Sequence, residues 1–507
     1  MSDTRRDFLK FVVAGSVAAG CPIDLSLFAA PDDSKTKVEG DTFEVCHQVR
    51  DGKSFSRPAA SRRYDVVIVG GGASGLSAAY FLRDRDFLLL EKEPHFGGNA
   101  YLEEFDGQAY ATGSAFDEKG TASAQLAHEI GLELLPTNSN DGLIVNGKWA
   151  SDPWGAGIVD LPYPPAVRES FKKFCSDALA IDVSKNVAQL DSTPFSNYLA
   201  GQAPELKTWW DAFGPSNWGA KPADTSALVG LTEFQYAAEK EDPRVTLPGG
   251  NGALTRKLVE TLQPKFAERL VGEATIVAVE PQKNEVRVTY VQGGALHSVA
   301  AKIVIMATPK FITSRIVAGL SDAQQDAMSS YRYCPYTVIN MIFDKPVYNR
   351  AYDTWCPGNT FTDFIVADWV LQKQPGYKQK YNILSFYTPL AEADRKKLLK
   401  IDDCRQIAAN VLRDFQKLLP DFAAANPIEV HLYRRGHPMF MPTPGTFTKI
   451  IPAANQPLER IFFANTDSIG PISEISGAVR AAQKAAEWTE KRLAGYSESS
   501  ARAAAGL

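Results

Sequence analysis

Residues 64–98 read YDVVIVGGGASGLSAAYFLRDRDFLLLEKEPHFGG, and this stretch decides the fold. An apolar run at residues 66–69 predicts a β-strand that leads into a Gly-x-Gly-x-x-Gly turn. A small-residue helix pattern follows, and a second apolar run at residues 87–90 ends in Glu91. Strand, glycine turn, helix, strand and terminal acid in this order predict a βαβ unit that binds a dinucleotide.

The residues of this unit have separate tasks. Gly70 permits the tight turn, Gly72 lets backbone amides approach a pyrophosphate, and Gly75 lets the helix pack close to the strand. The helix begins at Ala73 and Ser74, where its N-terminus supplies N–H donors and a partial positive charge for the phosphate.

An acidic residue completes the unit. Glu91 follows Gly70 by 21 residues, the distance at which an acid accepts hydrogen bonds from the adenosine ribose hydroxyls. Lys92 stands beside this acid, and we include it in the predicted nucleotide site. A glycine triplet alone is weak evidence, but the strand before it and the acid after it make the prediction specific.

The composition describes an ordinary globular protein. With 507 residues the chain is longer than a single-core domain, which predicts two large domains. Hydrophobic residues make up 45% of the chain and charged residues 22%, which is typical of a soluble protein. The net charge of −5 argues against nucleic-acid binding and against a polybasic membrane surface.

The first thirty residues predict an export signal rather than part of the fold. Arg5 and Arg6 precede Phe-Leu-Lys and an apolar stretch at residues 11–19, a pattern typical of twin-arginine signals. The apolar stretch is too short to span a bilayer. Because this route carries folded proteins, we expect the twin-arginine translocase as a partner, loading of the cofactor inside the cell, and a periplasmic location.

The way in which this signal ends is open. Residues 18–20 before Cys21 resemble a lipoprotein box, although the usual leucine is absent and Pro22 follows the cysteine. Cleavage near Ala29 or Ala30 is the simpler prediction, and lipid anchoring at Cys21 is the alternative.

The cysteines and histidines carry no metal-binding pattern. Five cysteines follow Cys21, none in a Cys-x-x-Cys pair, so one or two disulfides and buried thiols are both open; Cys334 and Cys356 are the nearest pair. The six histidines lack ligand spacing, and Cys46-His47 has no second half. We therefore predict no metal site.

Changes of texture along the chain predict two discontinuous domains. After a linker or surface arm at residues 31–61, a Rossmann-like nucleotide domain takes residues 62–120, 242–310 and 455–495. An inserted α+β substrate domain takes residues 121–241 and 311–454. The predicted fold class is therefore α/β, with a discontinuous Rossmann-like domain and an inserted substrate domain.

Four separated blocks resemble one known family, the flavin-containing amine oxidases. They are the fingerprint with Glu91 and the Gly97-Gly98 pair, the Pro-Gly-Gly turn at residues 248–250, the strand that ends in Ala-Thr-Pro at residues 307–309, and RIFFANTDSIGPISEISGAVRAAQKAAE at residues 460–487. The wider group includes monoamine, polyamine and protoporphyrinogen oxidases, phytoene desaturases and spermidine dehydrogenases. The resemblance covers about residues 62–494 and is most specific at its two ends.

The resemblance implies FAD rather than NAD as the cofactor. Carried over by motif, the glycine turn holds the pyrophosphate, Glu91 the adenosine ribose, Gly97 and Gly98 the ribityl and diphosphate, Ala307 the adenine side, and Asp467 the ribitol and phosphate. The helix that starts near Ser476 and Gly477 would point its N-terminus at the flavin N1–C2=O edge, which stabilises anionic reduced flavin.

Three positions depart from the family pattern. Asn99 stands where many members have arginine after the glycine pair, and Gly-Gly-Asn-Ala also resembles UDP-galactopyranose mutases. Asn340 stands where monoamine and polyamine oxidases carry a lysine near flavin N5, which argues against efficient reaction with oxygen through that lysine. The segment HLYRRGHPMFMPTPG lacks a flavin-linking cysteine, so we predict non-covalent FAD.

Two further residues of that segment are candidates for the reaction site. His437 is either an acid–base group, since an ordinary histidine pKa is near neutral, or a loop histidine that bonds backbone; a histidyl–flavin link is a third alternative. Tyr433 belongs to the aromatic residues that are candidates to line a water-poor slot, for which core packing is the alternative. Glu233 or Asp353 is a candidate to recognise a cationic substrate, with a solvated carboxylate as the alternative.

The leading functional hypothesis is oxidation of a small amine or polyamine by hydride transfer to FAD N5. The electrons would pass to a periplasmic or membrane acceptor, in line with Asn340. The alternatives are a desaturase or oxidase of an isoprenoid or porphyrin C–C bond, and a flavin-binding protein without amine turnover, either mutase-like or a redox relay.

Overall fold

The structure of the protein is a computed structural model, and it describes residues 35–238 and 242–504. The predicted export signal and Cys21 lie outside the described residues. Most of the described chain is in strands and helices.

The strands, numbered along the chain, are β1 Thr36–Gly40, β2 Arg63–Val69, β3 Phe87–Leu90, β4 Leu102–Phe105, β5 Gln108–Ala111, β6 Asp117–Glu118, β7 Leu135–Pro136, β8 Gly142–Val145, β9 Lys148–Ser151, β10 Arg244–Thr246, β11 Leu270–Val271, β12 Thr275–Pro281, β13 Val286–Gln292, β14 Ala295–Met306, β15 Tyr333–Phe343, β16 Asp353–Trp355, β17 Asp363–Val366, β18 Asn382–Pro389, β19 Glu429–Phe440 and β20 Ile461–Phe463.

The α-helices are α1 Glu44–Arg50, α2 Ala73–Phe81, α3 Ala122–Glu129, α4 Pro165–Leu179, α5 Val187–Ser192, α6 Pro204–Trp218, α7 Ala227–Ala237, α8 Gly252–Phe266, α9 Lys310–Ile316, α10 Asp322–Ser329, α11 Ile401–Leu418, α12 Ile451–Ala454 and α13 Ile475–Ala504. Among the described residues, no helix is long and apolar enough to cross a membrane.

The first large sheet has the order β11-β3-β2-β14-β13-β12, and β20 pairs with the end of β14. Strand β2 is apolar on both faces because both are covered: Val67 and Val69 pack into one core, and Val66 and Ile68 pack into another with the alanines of α13. Strands β3, β2, β14 and β20 run parallel, so they end together at one edge of the sheet. In open α/β sheets this is the edge where ligands bind.

The second large sheet has the order β1-β19-β15-β18-β17-β16-β8-β9. Its central strand β15 is buried along its whole length. Helix α11 covers part of one face through residues such as Phe415. A cluster rich in tryptophan, which includes Trp209, Trp210 and Trp218, packs against residues 336 and 338 of β15. This sheet forms the body of the segment in which the sequence predicts a substrate domain, and the exact domain boundaries stay a prediction.

The arm before the fingerprint has regular structure. Strand β1 pairs in parallel with β19, with Thr36 opposite Val430 and Gly40 opposite Arg434, and helix α1 follows it. The arm is therefore an edge strand of the second sheet rather than a bare linker. Its polar sequence fits an edge strand, because most of its side chains face solvent.

The two cysteines that are nearest in the sequence do not form a disulfide in the structure. Cys334 and Cys356 are both buried and both unpaired, as are the other cysteines of the described chain.

Candidate active site

A cavity of about 770 Å³ opens at the edge where β2, β3, β14 and β20 end. Its volume is within the range of small-molecule and cofactor sites. One wall is the glycine turn, a second is the arm with β1 and α1, and a third is the segment of β19 around Gly436. The predicted residues that line it are Gly70, Gly72, Ala73, Ser74, Glu91, Lys92, Gly97, Gly98, Asn99, Ala307, Tyr433, His437 and Asp467.

The glycines of the turn have the geometry that a nucleotide cradle requires. A Cβ on Gly70, whose φ is +103°, would lie 2.8 Å from the Ala307 carbonyl oxygen, and one on Gly75 would lie 1.8 Å from the Gly70 oxygen. A Cβ on Gly72 would meet nothing nearer than 3.8 Å, so Gly72 presents bare backbone to the cavity. The cradle therefore fits a diphosphate, with Gly75 serving the packing of α2 rather than the wall.

Glu91 is held in place by backbone amides. Its Oε2 accepts a hydrogen bond from Gly71 N at 2.6 Å, and its Oε1 accepts one from Glu93 N at 2.9 Å. Burial raises the pKa of Glu91. Lys92 Nζ pairs with the carboxylate of Glu93 and donates a hydrogen bond to the Thr42 oxygen of the arm at 3.2 Å. The acid is thus fixed at the cavity wall, and Lys92 ties the wall to the arm.

Asp467 lines the cavity, but its carboxylate is hydrogen-bonded within the protein. Lys310 Nζ donates to Oδ1 at 2.9 Å, while Lys310 N and Tyr333 Oη donate to Oδ2 at 2.8 and 2.7 Å. Lysine and aspartate are both fully buried, and burial lowers the pKa of Lys310. The expected contact of Asp467 with the ribitol stays a prediction, since both oxygens already have donors.

The C-terminal helix α13 begins at the cavity. Glu474, Ile475 and Ala478 line the wall, whereas the predicted residues Ser476 and Gly477 lie in the first turn away from it. The free N–H groups of this first turn and the helix dipole favour negative charge at this part of the cavity wall.

The three predicted catalytic residues are not brought together. His437 lines the cavity and packs on Phe311, with ring centroids 4.3 Å apart. Burial, aided by Arg395, lowers its pKa to about 4, so it is neutral near pH 7 rather than poised there as its ordinary value suggested. Tyr433 lines another part of the wall, and burial raises its pKa.

Asn340 lies behind the wall. Its Nδ2 donates to the Ala111 oxygen at 3.2 Å, and its Oδ1 accepts from Ser385 Oγ at 2.5 Å, which leaves it fully buried between strands. It does not line the cavity.

Arg435 is among the wall residues that sequence reasoning missed. Its buried guanidinium donates from Nη1 to the Thr112 oxygen at 2.5 Å and from Nη2 to Thr112 Oγ1 at 3.0 Å and the Gly98 oxygen at 3.4 Å. Asn99 reaches the same segment, where its Nδ2 donates to the Pro438 oxygen at 2.7 Å. The signal was present in the sequence, because a missing arginine after the glycine pair invites a search for another cation.

Several acidic residues lie close together near the start of α13. Burial raises the pKa of Glu233 to about 8, and the nearby carboxylates of Glu474 and Glu118 add to this. Burial also raises the pKa of Glu474, which pairs with Arg480 at 2.8 Å. By contrast, Asp353, the other candidate for a cationic substrate, lies in the second sheet near Arg244.

The chain matches known flavoenzymes along most of its length. The family model described as flavin containing amine oxidoreductase matches residues 73–487. Oxidoreductase PigB of Serratia is 24% identical over 87% of this chain and 77% of its own. Protoporphyrinogen oxidase 1 of spinach chloroplasts is 26% identical over 55% of this chain and 56% of its own.

Solved structures share the fold. Cyclohexylamine oxidase from Brevibacterium oxydans has a TM-score of 0.66 at 19% identity, over 85% of this chain and 99% of its own. Putrescine oxidase bound to putrescine has a TM-score of 0.63 at 17% identity, over 84% of this chain and 98% of its own. These likenesses confirm the predicted α/β fold class, and the family match confirms FAD as the cofactor. The chain is an oxidoreductase that belongs to the flavin-containing amine oxidoreductase family.

Proposed function

We propose that the enzyme oxidises a small amine or polyamine at the carbon next to nitrogen. FAD, when bound, would accept the hydride, which carries both electrons of the oxidation. The residues of this chain then have three tasks: they hold the cofactor, exclude water, and bind the substrate so that its C–H faces the flavin.

The observation that carries this proposal is the set of acidic residues near the start of α13. Glu474 lines the cavity, and Glu233 lies near it with other carboxylates but no cationic partner among the described residues. Burial and the carboxylate of Glu474 raise the pKa of Glu233, so a cation bound beside Glu233 would be favoured because it restores the ionised form of that carboxyl group. An ammonium group is such a cation, and a polyamine keeps one charged nitrogen when another is deprotonated for oxidation.

The pKa of Glu233 gives this binding a pH dependence. Below about pH 8 the free carboxyl takes up a proton and loses its attraction for an ammonium ion. We therefore expect the amine Kd to rise as the pH falls below 8, by up to about tenfold per unit. Above pH 8 the carboxylate is ionised and the dependence on this group ends.

Anaerobic mixing of the oxidised enzyme with a panel of monoamines, diamines and polyamines tests the proposal. Bleaching of the flavin absorbance by at least one amine is the expected result. Glu233→Gln should weaken the effective amine by roughly 10-fold or more and remove its pH dependence below 8. Glu487→Gln, on the exposed side of α13, is the matched control. If no amine bleaches the flavin, the proposal is wrong.

A second candidate is the oxidation of a C–C bond in a porphyrin or isoprenoid. The sequence likeness to plant protoporphyrinogen oxidases favours it, although the match spans little more than half of each of those proteins. The same anaerobic assay with protoporphyrinogen separates the two candidates. If neither substrate class reduces the flavin, the chain is better explained as a flavin-binding or redox-relay protein.

We also propose that the electrons leave to an acceptor other than oxygen, and that the protein is exported folded to the periplasm. Asn340 supports the first point, because this neutral residue stands where the resemblance places a lysine in monoamine and polyamine oxidases. Its side chain lies behind the cavity wall, bonded to the Ala111 oxygen and Ser385 Oγ. Slow reoxidation of the dithionite-reduced enzyme in air is expected. Replacement of Arg5 and Arg6 by lysine should retain the protein in the cytoplasm, as fractionation would show.

A further inference from the structure

One buried charge in the cavity wall lacks an opposite charge. The side chain of Arg435 is on β19, and the residue is only 7% exposed. All the hydrogen bonds that its guanidinium donates go to neutral oxygens, those of Thr112 and Gly98. In the described part of the chain, no carboxylate lies within ion-pair distance of it, and burial lowers its pKa.

The nearest acidic residues are occupied elsewhere. Asp41 accepts a hydrogen bond from Gly436 N at 3.2 Å. The carboxylate of Glu93 accepts hydrogen bonds from Lys92 Nζ and from the Thr42 amide. Both attract Arg435 only at longer range. A buried cation without a partner is costly, so proteins keep one where a ligand brings the missing charge.

The position of the guanidinium indicates which ligand charge that is. Its Nη2 contacts the carbonyl of Gly98, and a Cβ on Gly98 would lie 3.1 Å from the Cα of Gly72. These two glycines pack against each other in the cavity wall, beside the N-terminus of α2. Arg435 therefore adds a full positive charge to the site where backbone amides and a helix dipole already favour phosphate.

Asn99 holds this arrangement together. It stands directly after the glycine pair, and its bond to the Pro438 oxygen fastens that loop to the strand segment that carries Arg435. The glycine loop thus has no cation of its own at this position but is tied to a strand that brings one.

We propose that Arg435 is a cofactor-anchoring residue whose guanidinium neutralises the diphosphate of FAD, in place of a cation on the glycine loop. A planar fork of N–H donors suits phosphate oxygens, and it is already positioned by Thr112 and Gly98. This inference rests on FAD binding by the family and not on the identity of the substrate.

Binding of FAD and of cofactor fragments to the apoprotein tests the proposal. Arg435→Gln should weaken FAD roughly 10- to 100-fold, measured by quenching of flavin fluorescence. ADP, which carries a diphosphate, should lose affinity by a similar factor, whereas adenosine and riboflavin should bind as they do to the unaltered protein. Arg435→Lys keeps the charge without the fork, so its loss should be smaller. Arg413→Gln, an exposed arginine on α11, is the control.

Thermal unfolding of the apoprotein separates this role from a structural one. Because Arg435→Gln removes an unpaired buried cation, the apoprotein should melt at the same temperature as the unaltered protein or higher. Bound FAD should raise the melting temperature of the variant by less than it raises that of the unaltered protein. The proposal is overturned if Arg435→Gln binds FAD and ADP normally, if riboflavin rather than ADP loses affinity, or if the apoprotein itself is destabilised.

Discussion

Two buried arginines, Arg244 and Arg435, show how differently one side chain is used in two regions of the molecule. Arg244 is the first residue of β10 and contacts Asp141 at 2.7 Å and Asp242 at 2.8 Å, with Asp353 at 3.9 Å. Burial works against its charge, but these carboxylates raise its pKa overall. Arg435, at the cofactor cavity, donates to neutral oxygens only, as far as the described residues are concerned.

The difference separates charges that complete the fold from charges that await a ligand. Around Arg244 the negative charge exceeds the positive, and burial together with Asp363 raises the pKa of Asp353 well above its ordinary value. That cluster needs its arginine in order to fold. The cavity wall instead holds a cation whose partner comes from outside, which predicts opposite responses to the same substitution.

Replacement of Arg244 should have the largest effect. Arg244→Gln leaves Asp141, Asp242 and Asp353 without their shared cation, which we expect to lower the free energy of unfolding by about 3–5 kcal/mol. Chemical denaturation of the apoprotein measures this. Below the new melting temperature, FAD affinity should be unchanged.

A second substitution checks the cause of this loss. Adding Asp242→Asn to Arg244→Gln removes part of the excess negative charge and should recover some of the lost stability. If Arg244→Gln instead leaves stability intact and weakens FAD, the contrast with Arg435 is wrong.

Glu91 tests the comparison with a negative charge at the cavity. Its carboxylate accepts two backbone N–H bonds, and within the described ranges no cation contacts it, since Lys92 pairs with Glu93. Glu91→Ala should cost FAD binding about 1.5–3 kcal/mol, the worth of a hydrogen bond to a charged group. The measurement is flavin retained on dilution, with Glu487→Gln as control. Undiminished flavin content would contradict the role of Glu91 at the ribose.

The cofactor half of the site was predictable because the residues that form it are contiguous in sequence. Residues 64–98 contain the strand, the turn, the helix and the acid, and their contacts are close in sequence. The glycine positions follow from steric rules that hold in any protein: Gly75, for example, has no room for a Cβ. In the structure, Gly70, Gly72, Glu91, Gly97 and Gly98 of this stretch line one cavity, and their contacts with FAD stay a prediction.

The rest depends on contacts between distant segments. Arg435 meets Gly98 across 337 residues of chain, and Lys310 meets Asp467 across 157. Nothing local in the sequence marks either partner. The arm at residues 36–40 is polar because it is an edge strand, and its pairing with β19 depends on a strand that follows nearly four hundred residues later. The sequence left the role of His437 open between an acid–base group and a loop histidine, because its burial against Phe311 is also a tertiary property.

His437 gives the smallest effect and tests whether the cavity wall disfavours added positive charge. Burial, with Arg395 nearby, lowers its pKa to about 4, whereas in the unfolded chain it is about 6.5. A histidine whose pKa is lower in the folded state stabilises the fold above pH 6.5. That stability is lost as the pH falls from 6.5 towards 4, because the unfolded chain binds the proton first.

His437→Phe keeps a ring against Phe311 but cannot be protonated. Between pH 6.5 and 4, the free energy of unfolding should therefore fall more steeply for the unaltered protein than for the variant. The two slopes should differ by up to about 1.4 kcal/mol per pH unit. The difference should be smaller in practice, because the ring is partly exposed and solvent screens it. Parallel slopes in urea denaturation of the two proteins would show that the histidine is protonated in the fold, and that this wall tolerates a positive charge beside Arg395 after all.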